Sequence, residues 1–232
     1  VVVHAGAMSK TDECEDNREL AFNVNTQGTI NLLMAAKSMS SFFIFISTDF
    51  VFDGLKGMYN EDDVPGPVNY YGQTKLLAEE KVKEYAGAWC ILRTVLVYGR
   101  PQQGRDNLLT LVKKKNENGE LYKVFTDQLR TPTYVEDLAK AIISVMENKA
   151  TGIFHISGID QLSPFQMVIK MADLLSLNKE LIIPITKDDL KEKAIRPPYT
   201  GFDISKAKSF LNYSPVSFDE GLKKTFEIKN EN

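Results

Sequence analysis

Residues 42–54 read F-F-I-F-I-S-T-D-F-V-F-D-G. Five apolar residues in succession, Phe42 to Ile46, stop at three polar ones, Ser47-Thr48-Asp49. The run is short, aromatic and without polar alternation. That is the pattern of a strand covered on both faces, as in a parallel sheet flanked by helices. W-C-I-L-R-T-V-L-V (89–97) repeats it, and Val1 to His4 and Gly152 to Ser157 read as two further strands.

The stretches between these runs carry helical spacing. Residues 17–38 carry Leu20, Val24, Ile30, Leu33 and Met34 at helical spacing and predict one long helix. Helices are also predicted over 70–85, 106–116, 134–148 with Thr133 as cap, and 163–176 with Pro164 in its first turn. Residues 53–69, with Gly54, Gly57, Pro65, Gly66 and Pro67, read as a loop. Strands alternating with helices imply an α/β fold, a Rossmann-like doubly wound parallel sheet. The less regular chain after about residue 160 suggests a small C-terminal substrate lobe at the open end of the sheet. The expected division is 1–158 for the sheet domain and 159–232 for the lobe, with some segments interleaved.

Composition narrows the function classes. The chain has 232 residues, 43% hydrophobic and 25% charged, which suits a globular domain with a substantial core. A net charge of −3 argues against nucleic acid as a partner. No apolar stretch approaches the ~20 residues of a membrane span. The two cysteines, Cys14 and Cys90, lack C-x-x-C spacing, so neither a disulfide framework nor a metal site is expected, and a cytoplasmic setting fits.

In open parallel sheets the ligand crevice lies beyond the carboxyl ends of the strands. Two polar stretches fall there, His4-Ala5-Gly6-Ala7 and Ser47-Thr48-Asp49. The next helix opens N-Y-Y-G-Q-T-K (69–75), with Tyr71 and Lys75 four residues apart and so on one helix face. An ammonium beside a phenol favours the phenolate, and a Thr48 hydroxyl could bind the same substrate oxygen. Such a set suits carbonyl reduction or alcohol oxidation with a nicotinamide. Taken singly, Y-x-x-x-K and S-T-D are common; their order along the chain is the more specific signal.

These residues, with L-R-T-V-L-V-Y-G (92–99), R-T-P-T-Y-V-E-D-L-A-K-A-I (130–142) and the Asn23-Val24-Asn25 segment, resemble the extended short-chain dehydrogenase/reductase family. Within it, H-A-G-A-M-S-K-T-D-E-C-E (4–15) and R-P-P-Y-T-G-F-D-I-S-K (196–206) are similar to the dTDP-4-dehydrorhamnose reductase branch. The resemblance implies catalytic roles for Thr48, Tyr71 and Lys75. It implies NADP or NAD, with NADPH favoured, near His4, Ala5, Gly6, Ala7, Asn25, Ser47, Tyr71, Lys75 and Thr94. It implies a nucleotide-sugar substrate near Thr48, Asp49, Val51, Phe52, Arg130 and Arg196, and allows a homodimer. The implied reaction is reduction of the C4 ketone of dTDP-4-dehydro-L-rhamnose. A family epimerase or dehydratase, and a non-catalytic reductase-like regulatory subunit, are the alternatives. Arg93, inside an apolar run, and His155 are expected to be structural.

The family's G-x-x-G-x-x-G turn has no counterpart here. By the family pattern, roughly 60 residues carrying three further strands would precede Val1, so a piece of a longer chain is the expectation.

Overall fold

The computed structural model describes residues 1–102, 105–190 and 193–228. Strand β1 (Val2–His4) leads through helices α1 (Thr11–Asp16) and α2 (Arg18–Phe22), a π-turn (Asn23–Gln27) and α3 (Gly28–Ser38) to β2 (Phe43–Thr48). A 3-10 turn (Asp49–Val51) and the 53–69 loop precede α4 (Tyr70–Lys83) and β3 (Trp89–Thr94). Then follow β4 (Val97–Tyr98), α5 (Leu108–Glu117), β5 (Tyr122–Phe125), β6 (Thr133–Tyr134), α6 (Val135–Asn148) and β7 (Gly152–Ile156). The last part holds α7 (Pro164–Leu175), β8 (Ile182–Ile185), α8 (Ser205–Leu211) and α9 (Phe218–Thr225).

The main sheet has the order β1-β2-β3-β7, every pair parallel. Successive side chains of a strand face opposite sides, and this sheet uses both. Phe43, Phe45 and Ile91 pack on Leu33 and Ala36 of α3 and Ala78 and Val82 of α4. Ile44, Cys90, Leu92, Phe154 and Ile156 pack on Leu138, Ala141 and Val145 of α6 and Ala207 and Leu211 of α8. Burial on both faces is why β2 and β3 read as unbroken apolar runs. The architecture is the expected Rossmann-like α/β fold.

A second core gathers Leu109 and Val112 of α5, Val124 of β5, Met167 and Met171 of α7, Ile182 of β8 and Leu222 of α9. It draws on chain from both sides of residue 158. Strands β5 and β8 pair in parallel to form its small sheet.

The single helix expected over 17–38 is broken by the π-turn, and its buried face is not the apolar one. Leu20, Val24 and Met34 are exposed, whereas Ala21, Asn25, Thr26, Thr29 and Leu33 are buried. The polar members are held by specific partners. Asn25 Oδ1 accepts from the Met8 amide at 2.7 Å, its Nδ2 donates to Thr74 at 2.9 Å, and Thr26 Oγ1 donates to the Thr74 carbonyl at 2.9 Å. Paired polar groups can occupy a buried face that periodicity assigns to apolar ones. Thr133 is likewise not the α6 cap: it lies in β6, with its hydroxyl donating to the Val95 carbonyl at 2.7 Å.

Candidate active site

Helix α4 starts where it does because Asn69 caps it. The Asn69 Oδ1 accepts from the Gly72 amide at 2.9 Å, and its Nδ2 donates to the Ile195 carbonyl at 2.8 Å. Gly72 lets the helix approach the turn after β2. A Cβ there would stand 2.1 Å from the Phe50 carbonyl oxygen. This close approach brings Tyr71 to the end of β2.

Thr48, Tyr71 and Lys75 converge there. The Thr48 hydroxyl lies beside the Tyr71 phenol. It also accepts from the Phe50 amide at 3.2 Å and donates to Asp49 at 3.1 Å. Lys75, one turn on, is buried, donates to the Ile46 carbonyl at 2.8 Å and lies 3.9 Å from the centre of the Phe45 ring. Burial pulls the Lys75 ammonium down to about 7, with Glu79 opposing the shift. The Tyr71 phenol is held above its ordinary range, chiefly by burial and further by Asp49 and Cys14, against the neighbouring Thr48 hydroxyl. The expected drift of Tyr71 toward neutrality is therefore not what this arrangement produces. The site keeps the proton on the phenol.

Ala5, Gly6 and Ala7 follow β1 at the same end of the sheet and are exposed, so their backbone is open to a ligand. Thr94 ends β3 beside Thr48 in register, and its hydroxyl donates to Thr133 at 2.9 Å. Asn25 is buried and ties residue 8 to α4, so its part is to shape the loop after β1.

Several expected contacts are placed elsewhere. His4 turns into the core, its ring packed on Phe43 and Phe45 and its Nε2 3.0 Å from Thr29. Burial, with Lys75 adding, lowers it to about 4. Its ring is thus engaged inside the fold, packed between β2 and α3. The Ser47 hydroxyl donates to Glu79 at 2.5 Å, inside the fold. Val51 and Phe52 are fully buried in the core, because the turn after β2 folds them back under the sheet edge. Asp49 is buried too, its carboxylate accepting from Thr48 and Thr200 and lying 3.8 Å from Arg130. Burial raises its carboxyl, with Arg130 opposing.

Arg130 departs furthest from its expected role. It is buried, and its donors go to the carbonyls of Leu129 (2.8 Å), Pro198 (3.0 Å) and Pro197 (2.7 Å), to Gln128 (3.3 Å) and toward Asp49. A guanidinium so engaged holds the 194–202 segment in place and has no fork left for a diphosphate. Arg196, in contrast, is half-buried at the rim, 3.4 Å from Asp12 and 6.0 Å from the centre of the Phe125 ring.

Arg93 and His155 are structural, as expected. Arg93 pairs with Glu79 at 2.7 Å, both fully buried. His155 stacks on Phe202 at 3.9 Å and donates from Nδ1 to the Tyr59 carbonyl at 2.9 Å. Sequence reasoning missed Glu79, Asn69 and Thr200. Glu79 alone left a signal: it follows Lys75 by four residues on the catalytic helix face.

Known proteins resemble this chain in structure and in sequence. A dTDP-4-dehydrorhamnose reductase from Bacillus anthracis, solved with NADP, superposes with a TM-score of 0.89 at 29% identity, covering 98% of this chain and 80% of that one. Methionine adenosyltransferase 2 subunit beta of Danio rerio is 31% identical over 212 residues, 89% of this chain and 65% of its own. The probable low-salt glycan biosynthesis reductase Agl14 of Haloferax volcanii is 29% identical, over 96% of this chain and 75% of its own. The chain thus spans about two thirds to four fifths of the proteins it resembles. The RmlD substrate binding domain matches residues 1–230, nearly end to end, and the chain belongs to that family, within the short-chain dehydrogenase/reductases.

Proposed function

We propose that the protein is an NAD(P)H-dependent reductase of a nucleotide-linked 4-ketosugar, with dTDP-4-dehydro-L-rhamnose as substrate and dTDP-L-rhamnose as product. The observation that carries this reading is the hydroxyl pair Thr48–Tyr71 with buried Lys75 one turn on, at the carboxyl end of a parallel sheet. When bound, the reduced nicotinamide supplies the hydride. The small exposed residues Ala5, Gly6 and Ala7 fit close approach by such a group, with Tyr71, Lys75 and Thr94 beside it.

Thr48 orients the ketone oxygen. Tyr71 then gives its proton to the alkoxide that develops there. An alkoxide is a stronger base than a phenolate, so the protonated phenol can still supply this proton, although burial makes it a weaker acid than an ordinary tyrosine. Lys75, brought down to about 7 by burial, carries its positive charge below that pH, one turn from Tyr71 on the same helix face. Arg196, at the rim, is the proposed contact for the substrate diphosphate. Tyr71→Phe should lower kcat by about 10²–10⁴ while leaving near-UV circular dichroism unchanged. Unchanged turnover in that variant would sink the reading.

A second reading has support in the likeness to methionine adenosyltransferase 2 subunit beta. There the protein would serve as a non-catalytic subunit. Turnover by the purified chain with no partner added separates the two.

A further inference from the structure

Three polar rungs join the end of β2 to one face of α4. The Ile46 carbonyl accepts from Lys75 at 2.8 Å, the Ser47 hydroxyl donates to Glu79 at 2.5 Å, and the Thr48 hydroxyl lies beside the Tyr71 phenol. The outer two carry the chemistry proposed above. The middle one touches no reacting atom, yet it is the most heavily built.

Glu79 is wholly enclosed, and Arg93 grips it with two nitrogens, Nη2 to Oε2 at 2.7 Å and Nε to Oε1 at 3.0 Å. Arg93 is the register partner of Ser47 on the neighbouring strand, and His155 is the register partner of Arg93 on the next. Arg93 Nη1 donates to His155 Nε2 at 3.4 Å, and His155 Nδ1 donates to the Tyr59 carbonyl at 2.9 Å. One polar row thus crosses three strands on the face that α4 covers, and Glu79 is where the helix locks onto it. A buried ion pair is seldom a net gain over apolar side chains of the same volume. Its retention beside a catalytic pair points to geometry and charge.

We propose that Glu79 is a positioning residue: gripped by Ser47 and Arg93, it fixes the register of α4 on β2 and, one turn from Lys75, places a negative charge on the helix face that carries that ammonium. The kinetic part rests on the reductase reading; the charge part does not. The charged and titratable groups packed around this face of α4 are His4 from β1, Cys14 and Glu15 from α1, Arg18 from α2, Asp49 from the turn after β2 and Arg93 from β3. Glu79 is the one that opposes the fall of the Lys75 ammonium.

The test uses the intact protein with Glu79→Gln, Glu79→Asp, Ser47→Ala and the double variant Glu79→Leu/Arg93→Met, which removes both charges together. Folding is checked by near-UV circular dichroism, kcat and KM are followed against pH, and Lys75 is titrated by NMR of 13Cε-labelled lysine. In Glu79→Gln, kcat should fall by about 10- to 100-fold through displacement of Tyr71 and Lys75, with KM nearly unchanged. The Lys75 titration and the alkaline limb of kcat should both move to lower pH. Glu79→Asp should restore the titration in part, and Ser47→Ala should show the kinetic loss in weaker form. If Glu79→Gln leaves a buried unpaired Arg93 and does not fold, the double variant decides by the same readouts, and Ser47→Ala, which removes one hydroxyl, decides if neither folds. A folded variant with wild-type kcat and an unmoved Lys75 titration overturns the proposal. If the wild-type protein itself transfers no hydride, the reductase reading fails, and the NMR titration still decides the role of Glu79.

Discussion

Thr48 stands between two regions that were built in different ways. On one side is α4, whose Tyr71 and Lys75 reach the strand end from a single helix face. On the other is the 194–202 segment, which reaches Asp49 through Thr200 and lies against Arg130 along its backbone. The helix side depends on spacing within one element, so its geometry was legible from four residues of sequence. The segment side depends on chain that arrives 151 positions later. Arginines there looked like diphosphate contacts, because a guanidinium suits phosphate and a backbone carbonyl alike. The difference teaches that ligand-like residue types on irregular chain are as often fasteners of that chain.

The two regions meet at His155, which ends the Arg93 row and stacks on Phe202, the last residue of the segment. Burial, with Arg93 adding, lowers His155 from its ordinary value to about 3. A histidine depressed in the fold binds its proton more readily when unfolded. Its stabilising share is therefore complete above the unfolded value near 6.5 and is lost as pH falls toward 3. Within that window stability should decline by about 1.4 kcal/mol per pH unit for this group. Denaturant titrations at several pH values should show a flatter decline in His155→Phe. Equal slopes would mean that the two regions are not joined through a neutral imidazole.

Arg130→Met separates fastener from ligand contact. If Arg130 fastens the segment, the variant should lose about 3–5 kcal/mol, since Asp49 is left buried without its cation. If it bound the diphosphate, stability would stay within about 0.5 kcal/mol and KM would rise. Arg196→Ala should show the second pattern, a higher KM with kcat kept. Denaturation midpoints and substrate titrations on the two variants answer both.

The same contrast explains what else the sequence made readable. The sheet was legible because β2 and β3 are covered on both faces and so carry unbroken apolar runs. The buried face of the 17–38 stretch was not, because Asn25 and Thr26 are satisfied by Thr74, far along the chain, and Thr29 by the Asn25 carbonyl one turn back. Val51 and Phe52 looked like substrate contacts from their place after Thr48, but the direction of a turn is set by what packs on it. Gly72 shows how tight that turn is. Gly72→Ala should cost about 1–3 kcal/mol, because the methyl group meets the Phe50 carbonyl. It should also lower kcat by pushing Tyr71 from Thr48; a loss of stability with kcat intact would show that the helix start can shift without moving the phenol.

The smallest expected effect falls on the residue that belongs to both regions. Asn69 caps α4 with its carbonyl oxygen and holds the 194–202 segment with its amide nitrogen. A cap contributes about 1 kcal/mol, and one neutral hydrogen bond to a carbonyl contributes about as much. Asn69→Asp keeps the acceptor that caps the helix and removes the donor to Ile195. Asn69→Ala removes both. Were the two regions independent, the aspartate variant would keep α4 and kcat and lose only the hold on the segment, read as faster hydrogen exchange over residues 194–202. Were they coupled, loosening the segment would also lower kcat, because Thr200 and Arg130 fix the Asp49 carboxylate to which Thr48 donates. The structure favours coupling, and a kcat in Asn69→Asp equal to wild type, with exchange at 194–202 accelerated, would show that Thr48 keeps its place without the segment.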